Sequence, residues 1–198
     1  MKRIVLFSQP TENNIKQILD LIFPEEIKRK VFAYLPADGA NCPKKYVDQW
    51  KKYAKNYQAK FKYVDNSKVN APSETKKVLE ANILVIAGGN TFTLLHLLRR
   101  SGLFTTIKKF TEKEEFVIAG FSAGAIILSP TIKICKLPSF DKNVVGIKDL
   151  TGLGIVNFEV FPHYSEDKKE ILEKYRKMAK NEVKTITNDE FLVINFQK

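Results

Sequence analysis

The stretch VIAGFSAGAIILSP, residues 117–130, decides how the rest of the chain is read. It begins as an apolar run with Val and Ile, stops at Gly120, places Ser122 two residues later, and resumes as an apolar run after Gly124. A strand that turns abruptly into a helix has this pattern. The residue at the bend takes a strained backbone conformation, and small neighbours make room for it. The hydroxyl then projects from the bend, while the first N–H groups of the new helix point into the same space. The alternative is a serine that merely caps a buried helix, which would need neither Gly120 nor Gly124.

Outward from this point, extended β-branched segments alternate with helical ones. Strands are expected at 3–8, 30–36, 60–64, 82–87, 115–120, 158–162, 183–187 and 191–196, and helices at 11–23, 43–58, 73–81, 91–100, from 122 onward, and at 165–181. Thr11 and Ser73 suit helix N-caps. Nearly continuous apolar strands separated by helices specify an α/β fold, a mostly parallel sheet covered on both faces. Such a sheet offers its ligand site at the carboxyl ends of its strands. Residues 131–157 break the rhythm and read as an excursion or hairpin within a single domain covering 1–198.

Composition narrows the function classes. With 44% hydrophobic and 28% charged residues, the chain has the profile of a globular domain. No apolar run approaches the roughly 20 residues of a membrane-spanning helix, so no membrane partner is expected. The opening MKRIVLFSQP lacks a signal-peptide core and reads as the first strand. Cys42 and Cys135 form no C-x-x-C pattern, which points away from a disulfide framework or zinc site and makes a cytoplasmic location the expectation. The formal charge of +11 raises nucleic acid as a partner. However, the lysines of 44–63 and 166–182 are interleaved with apolar residues at helical spacing, as on solvated helix faces, and no nucleic-acid motif accompanies them. Nucleic acid is therefore not an expected partner, whereas a homodimer is compatible with the sequence.

Two further strand ends carry chemistry. In IAGGNTFTLL the strand 82–87 meets Gly88, Gly89 and Asn90 before a helix. Paired glycines let a ligand approach the backbone closely, which suits an oxyanion hole with one N–H from Gly89 and one from Ala123. A tight turn with a Thr91 cap is the bland alternative; a phosphate cradle also fits the glycines, but no G-x-x-x-x-G-K-[ST] is present. In FEVFPHYSED a strand delivers His163 at its end, while the other histidine, His96, lies among leucines on a helix and reads as packed or half-buried. A serine hydroxyl needs a base to attack at neutral pH, and imidazole is the usual one, so Ser122 pairs with His163. The orienting acid beyond the imidazole is expected in ITNDEFLVI, from Asp189 or Glu190 with Asp189 favoured, although this run also reads as a hairpin turn.

Taken together, AGGNTFTLL (87–95), GFSAGAIILSP (120–130) and FPHY (161–164) resemble peptidase family S51, the serine peptidases that include dipeptidase E (aspartyl dipeptidase) and cyanophycinase. The resemblance runs over most of the chain. It implies a three-layer α/β/α sandwich of the class I glutamine amidotransferase-like (flavodoxin-like) kind, with Ser122 as nucleophile, His163 as general base and Gly89 and Ala123 as oxyanion donors. It implies hydrolysis of short peptides, dipeptides among them, with no metal or organic cofactor. The family's acid aligns with ITNDEFLVI, where a shift of one residue would place Asn188 at the position. The arginine that reads an aspartate in dipeptidase E has no direct counterpart, since Lys168 and Lys169 come first and Arg176 only later. An amidase or esterase on a non-peptide substrate, or a catalytically weakened binding protein of the same fold, are the alternative readings.

Overall fold

The computed structural model describes residues 1–196, and its architecture follows from the alternation of apolar residues along the strands. In chain order the elements are β1 (Lys2–Phe7), α1 (Ile15–Ile22), β2 (Val31–Leu35), α2 (Lys44–Asn56), β3 (Lys60–Tyr63), α3 (Pro72–Glu80), β4 (Ile83–Ile86), α4 (Thr91–Ser101), α5 (Leu103–Phe110), β5 (Phe116–Phe121), α6 (Ala123–Ile127), β6 (Glu159–Phe161), α7 (Lys169–Arg176), β7 (Val183–Thr185) and β8 (Phe191–Phe196). Six strands form the main sheet in the order β3-β2-β4-β5-β1-β8. All neighbours in it are parallel except β8, which runs antiparallel to β1 on the edge. The fold is the expected α/β sandwich.

Successive residues of a strand face opposite sides of the sheet, and the sequence supplies apolar side chains for both. On one face Ile4, Leu35, Leu84 and Ile118 pack against Val78 of α3, Leu95 of α4, Ile107 of α5 and Ile127 of α6. On the other, Val5, Phe32, Val85 and Val117 meet Ile18 of α1 and Trp50 of α2. Both cores are sealed from water, and this two-sided burial is what holds the strand ends in fixed register.

β6 and β7 stand apart as a second, parallel two-stranded sheet. The segment between β7 and β8 therefore crosses from one sheet to the other, and the hairpin reading of ITNDEFLVI does not hold. The helix starts also differ from expectation. α3 begins on Pro72, whose ring presets the first helical φ, and Ser73 sits inside its first turn. Thr11 precedes α1 by a turn, donating its N–H to Asn14 Oδ1 at 2.8 Å. α5 has no counterpart in the periodicity analysis. It is short and carries paired threonines of modest helix propensity, and its start comes from Gly102 turning left-handed (φ +78°) at the end of α4.

The excursion at 131–157 is loop with one 3-10 turn, Lys133–Lys136, and a single antiparallel bridge between Thr131 and Thr151. It returns over the start of α4, where Asp141 Oδ2 accepts the Thr91 N–H at 2.7 Å. Among the described residues no helix is long and apolar enough to cross a membrane.

Candidate active site

The bend after β5 is tight because two backbone segments touch where side chains are missing. A Cβ on Gly120 would run into the Gly124 carbonyl, and one on Gly124 into the carbonyl of Ile86 at the end of β4. Only glycine allows this approach, and it drives Ser122 into φ +50°, ψ −116°. Such a conformation costs on the order of 1–3 kcal/mol in a non-glycine residue and persists only where the surroundings impose it. Ser122 occupies the N-cap position of α6 but makes no side-chain capping bond. Its hydroxyl is instead 3.0 Å from His163 Nε2.

His163 arrives from the second sheet. Because β6 and β7 are parallel, their carboxyl ends lie together, and the chain beyond each passes the same place. His163 follows β6 by two residues, Asn188 follows β7 by three, and the imidazole Nδ1 lies 2.7 Å from Asn188 Oδ1. His163 is also held with positive φ, +55°. Its N–H donates to Ser8 Oγ at 2.8 Å, and the wholly buried Ser8 hydroxyl donates in turn to the Ile186 carbonyl at 2.8 Å. Lys168 Nζ donates to the His163 carbonyl at 2.5 Å. An amide oxygen can only accept, so Nδ1 carries the proton and Nε2 offers its lone pair to the Ser122 hydroxyl.

The expected acids are elsewhere. Asp189 accepts a hydrogen bond from Thr11 Oγ1 at 2.8 Å, and Glu190 accepts the Thr187 N–H at 3.0 Å. Both carboxylates are used to fix the 187–190 turn, and the position facing the imidazole falls one residue earlier, on Asn188. The period-two logic of a strand end does not extend into an irregular turn, so sequence spacing alone could not choose among the three. Asn90 was expected at the ligand and is also diverted: its Oδ1 accepts the Thr93 N–H at 3.0 Å as the N-cap of α4, and its Nδ2 donates to the Lys142 carbonyl at 2.9 Å. Arg176 is spent on Glu173 and the Val183 carbonyl, tying α7 to β7. His96 is half-buried on α4, as read from its leucine neighbours.

Gly88 and Gly89 close the other side of Ser122. Gly89 has φ +147°, and a Cβ there would lie 2.6 Å from that of Ala37. Among the described residues, the N–H groups of Gly89 and Ala123 have no protein acceptor. Beside them opens a cavity of about 600 Å³ between the ends of β2 and β4 and the helix α2, with Phe121, Trp50 and Cys42 in its walls. Burial raises the Cys42 thiol above its ordinary pKa and keeps it neutral, and burial likewise raises the Tyr34 phenol.

With this geometry in place, likeness to known proteins becomes informative. The model of peptidase family S51 matches residues 4–198. The chain belongs to peptidase family S51. An uncharacterized peptidase of Pasteurella multocida is 31% identical over 169 residues, covering 83% of this chain and 78% of the relative. A second uncharacterized peptidase, from Listeria monocytogenes, is 28% identical and covers 98% of this chain and 95% of its own length. Among solved structures, a candidate peptidase E protein from Listeria monocytogenes superposes with a TM-score of 0.75 at 23% identity over the full length of both chains. A peptidase from an acI-B1 actinobacterium gives 0.73 at 20% identity, covering 98% of this chain and 83% of that one. At those identities the two structures speak for the fold, and the family match speaks for a peptidase role. In this S51 chain the strained serine and the histidine lie within hydrogen-bond reach of each other just beyond the carboxyl ends of β5 and β6.

Proposed function

We propose that this S51 chain is a serine-type peptidase that hydrolyses short peptides, dipeptides included. The observation that carries the reading is the unbroken line from Ser122 Oγ through His163 to Asn188, at 3.0 and 2.7 Å. Ser122 attacks the scissile carbonyl as His163 Nε2 takes its proton, and the tetrahedral oxyanion forms against the N–H groups of Gly89 and Ala123. Gly88 sits where the substrate backbone passes. The imidazolium returns the proton to the leaving amine, and water, deprotonated by the same nitrogen, clears the acyl-enzyme. This chemistry uses side chains and backbone alone.

Asn188 alters the energetics rather than the sequence of steps. It holds the productive tautomer, as a carboxylate would, but brings no negative charge to stabilise the imidazolium, so turnover is slower than with an acid in that place. Treatment with a fluorophosphonate probe tests the reading: Ser122 becomes covalently labelled in the wild type, while Ser122→Ala is unlabelled, folds normally and loses roughly 10⁴-fold or more in kcat on dipeptides. Turnover by the alanine variant at the parent rate would falsify the assignment. Labelling without any peptide cleavage would favour the amidase or esterase reading.

A further inference from the structure

The topology of the main sheet marks a ligand position next to the serine. From β2 the chain moves outward to β3, whereas from β4 it moves the opposite way to β5, so the winding reverses between the neighbours β2 and β4. Ligands of open α/β sheets bind in the crevice at the carboxyl ends of strands that flank such a reversal. The cavity of about 600 Å³ lies there, between Pro36 and Ala37 after β2 and Ala87 to Gly89 after β4, and its size is that of a small-ligand site.

Its position relative to Ser122 assigns the part of a substrate that enters it. Gly88 lines the cavity and abuts the nucleophile, since a Cβ on it would be 3.1 Å from the Ser122 Cβ. Phe121 lines it too and immediately precedes the serine. His163, by contrast, is tethered through Ser8 at the end of β1, on the opposite side of β5 from β4. The leaving amine must lie near the imidazole that protonates it. The residue that supplies the scissile carbonyl therefore extends away from His163, toward β4 and β2.

The walls say what that residue is. Tyr34 and Trp50 stack at 5.6 Å and 25°, and Trp50 and Phe121 at 6.1 Å and 18°, so a run of packed aromatic rings backs the cavity. Tyr53 adds to it, and Tyr46, 46% exposed despite its size, stands at the mouth. Aromatic walls reward a ring both by burial and by stacking. Among the described lining residues none is basic and the one carboxylate is Asp38. Lys45 Nζ lies over the Tyr46 ring, 5.0 Å from its centroid, so an acidic side chain meets a cation only at the mouth, and among the lining residues it meets the like charge of Asp38.

Resting on the serine-peptidase reading, we propose that this cavity receives the side chain of the residue donating the scissile carbonyl, and that it selects aromatic residues and rejects acidic ones. Hydrolysis of Phe-, Ala- and Asp-p-nitroanilide by the intact protein tests this. The expected order in kcat/KM is Phe above Ala above Asp, with roughly 100-fold between the extremes. Replacing Tyr46 by Ala at the solvent-exposed mouth should lower kcat/KM for the Phe substrate about 10-fold and shrink the preference for Phe over Ala, and an undiminished preference overturns the pocket. If Ser122 takes up the fluorophosphonate but Asp-p-nitroanilide is cleaved as well as the Phe compound, the pocket assignment is wrong and the peptidase reading stands. If no anilide is cleaved and Ser122 is not labelled, the peptidase reading fails, and the pocket is decided by binding alone. Trp50 is the single tryptophan, so its fluorescence reports occupancy of the cavity. In Ser122→Ala, saturable quenching by N-acetylphenylalaninamide and none by N-acetylaspartamide supports the pocket, while equal responses or no response to either overturns it.

Discussion

Ser122 and His163 are both non-glycines held at positive φ, as Gln58 and Asn70 are elsewhere in the chain, and the two turns that hold them are built differently. The Ser122 bend is shaped by missing side chains: Gly120 and Gly124 let backbone press on backbone, and the polar anchors are main-chain ones, such as the Ser122 N–H donating to the Phe7 carbonyl at 3.1 Å. The His163 turn is fixed by hydrogen bonds, from its N–H to Ser8, from Lys168 to its carbonyl, and from its ring Nδ1 to Asn188 Oδ1. A steric clamp is all-or-none, because an added methyl has nowhere to go in close-packed surroundings. Polar tethers are graded, since each can be removed or exchanged singly. Activity should therefore collapse when the first turn is altered and decline stepwise when the second is.

The sharpest break comes at Gly124. Its substitution by Ala is expected to destabilise the fold by more than about 3 kcal/mol and abolish fluorophosphonate labelling, read by thermal melting and by mass spectrometry of the probe adduct. A variant that folds and labels normally would mean that the bend is not sterically fixed. Removing the ring acceptor with Asn188→Ala comes next, lowering kcat roughly 10²-fold through loss of the productive tautomer, with KM little changed.

Asn188→Asp sharpens the contrast in the other direction. A carboxylate opposite the ring favours the imidazolium, so kcat should rise several-fold and the acid limb of the pH–rate profile should move to higher pH, because more of the base is protonated at a given pH. An unmoved limb in steady-state assays would show that Asn188 does not face the working imidazole. Ser8→Ala leaves the His163 N–H and the Ile186 carbonyl without their buried partner; it should cost about 1–3 kcal/mol in denaturant titrations and about 10-fold in kcat. Lys168→Met, at the half-buried end of the network, is expected to change kcat by less than about 3-fold.

The same contrast explains what could be read from the sequence. The central strands β1, β2, β4 and β5 were legible as apolar runs, because burial on both faces enforces that pattern, and β3, β6, β7 and β8 as β-prone segments bounded by turn residues. The serine bend was legible because a steric clamp writes itself as glycines at fixed spacing. The His163 turn was legible only in part. Its histidine stands at a strand end, but its tethers come from Ser8, Lys168 and Asn188, which lie 155, 5 and 25 positions away in the chain. Hydrogen-bond partners in irregular segments follow no periodicity, so the reading favoured the carboxylates of Asp189 and Glu190, and Asn188 entered only as a one-residue shift in the family alignment. α5 was missed for a related reason: its helicity comes from packing against α3 and α4 rather than from its own residues.

The β6–β7 pair has one last implication. His163 and Asn188 leave one small sheet side by side, while Ser8, Ser129 and Asn14 fasten that sheet and the turn beyond it to the main body, so the serine–imidazole spacing is held by links that run between the two sheets and by neither sheet alone.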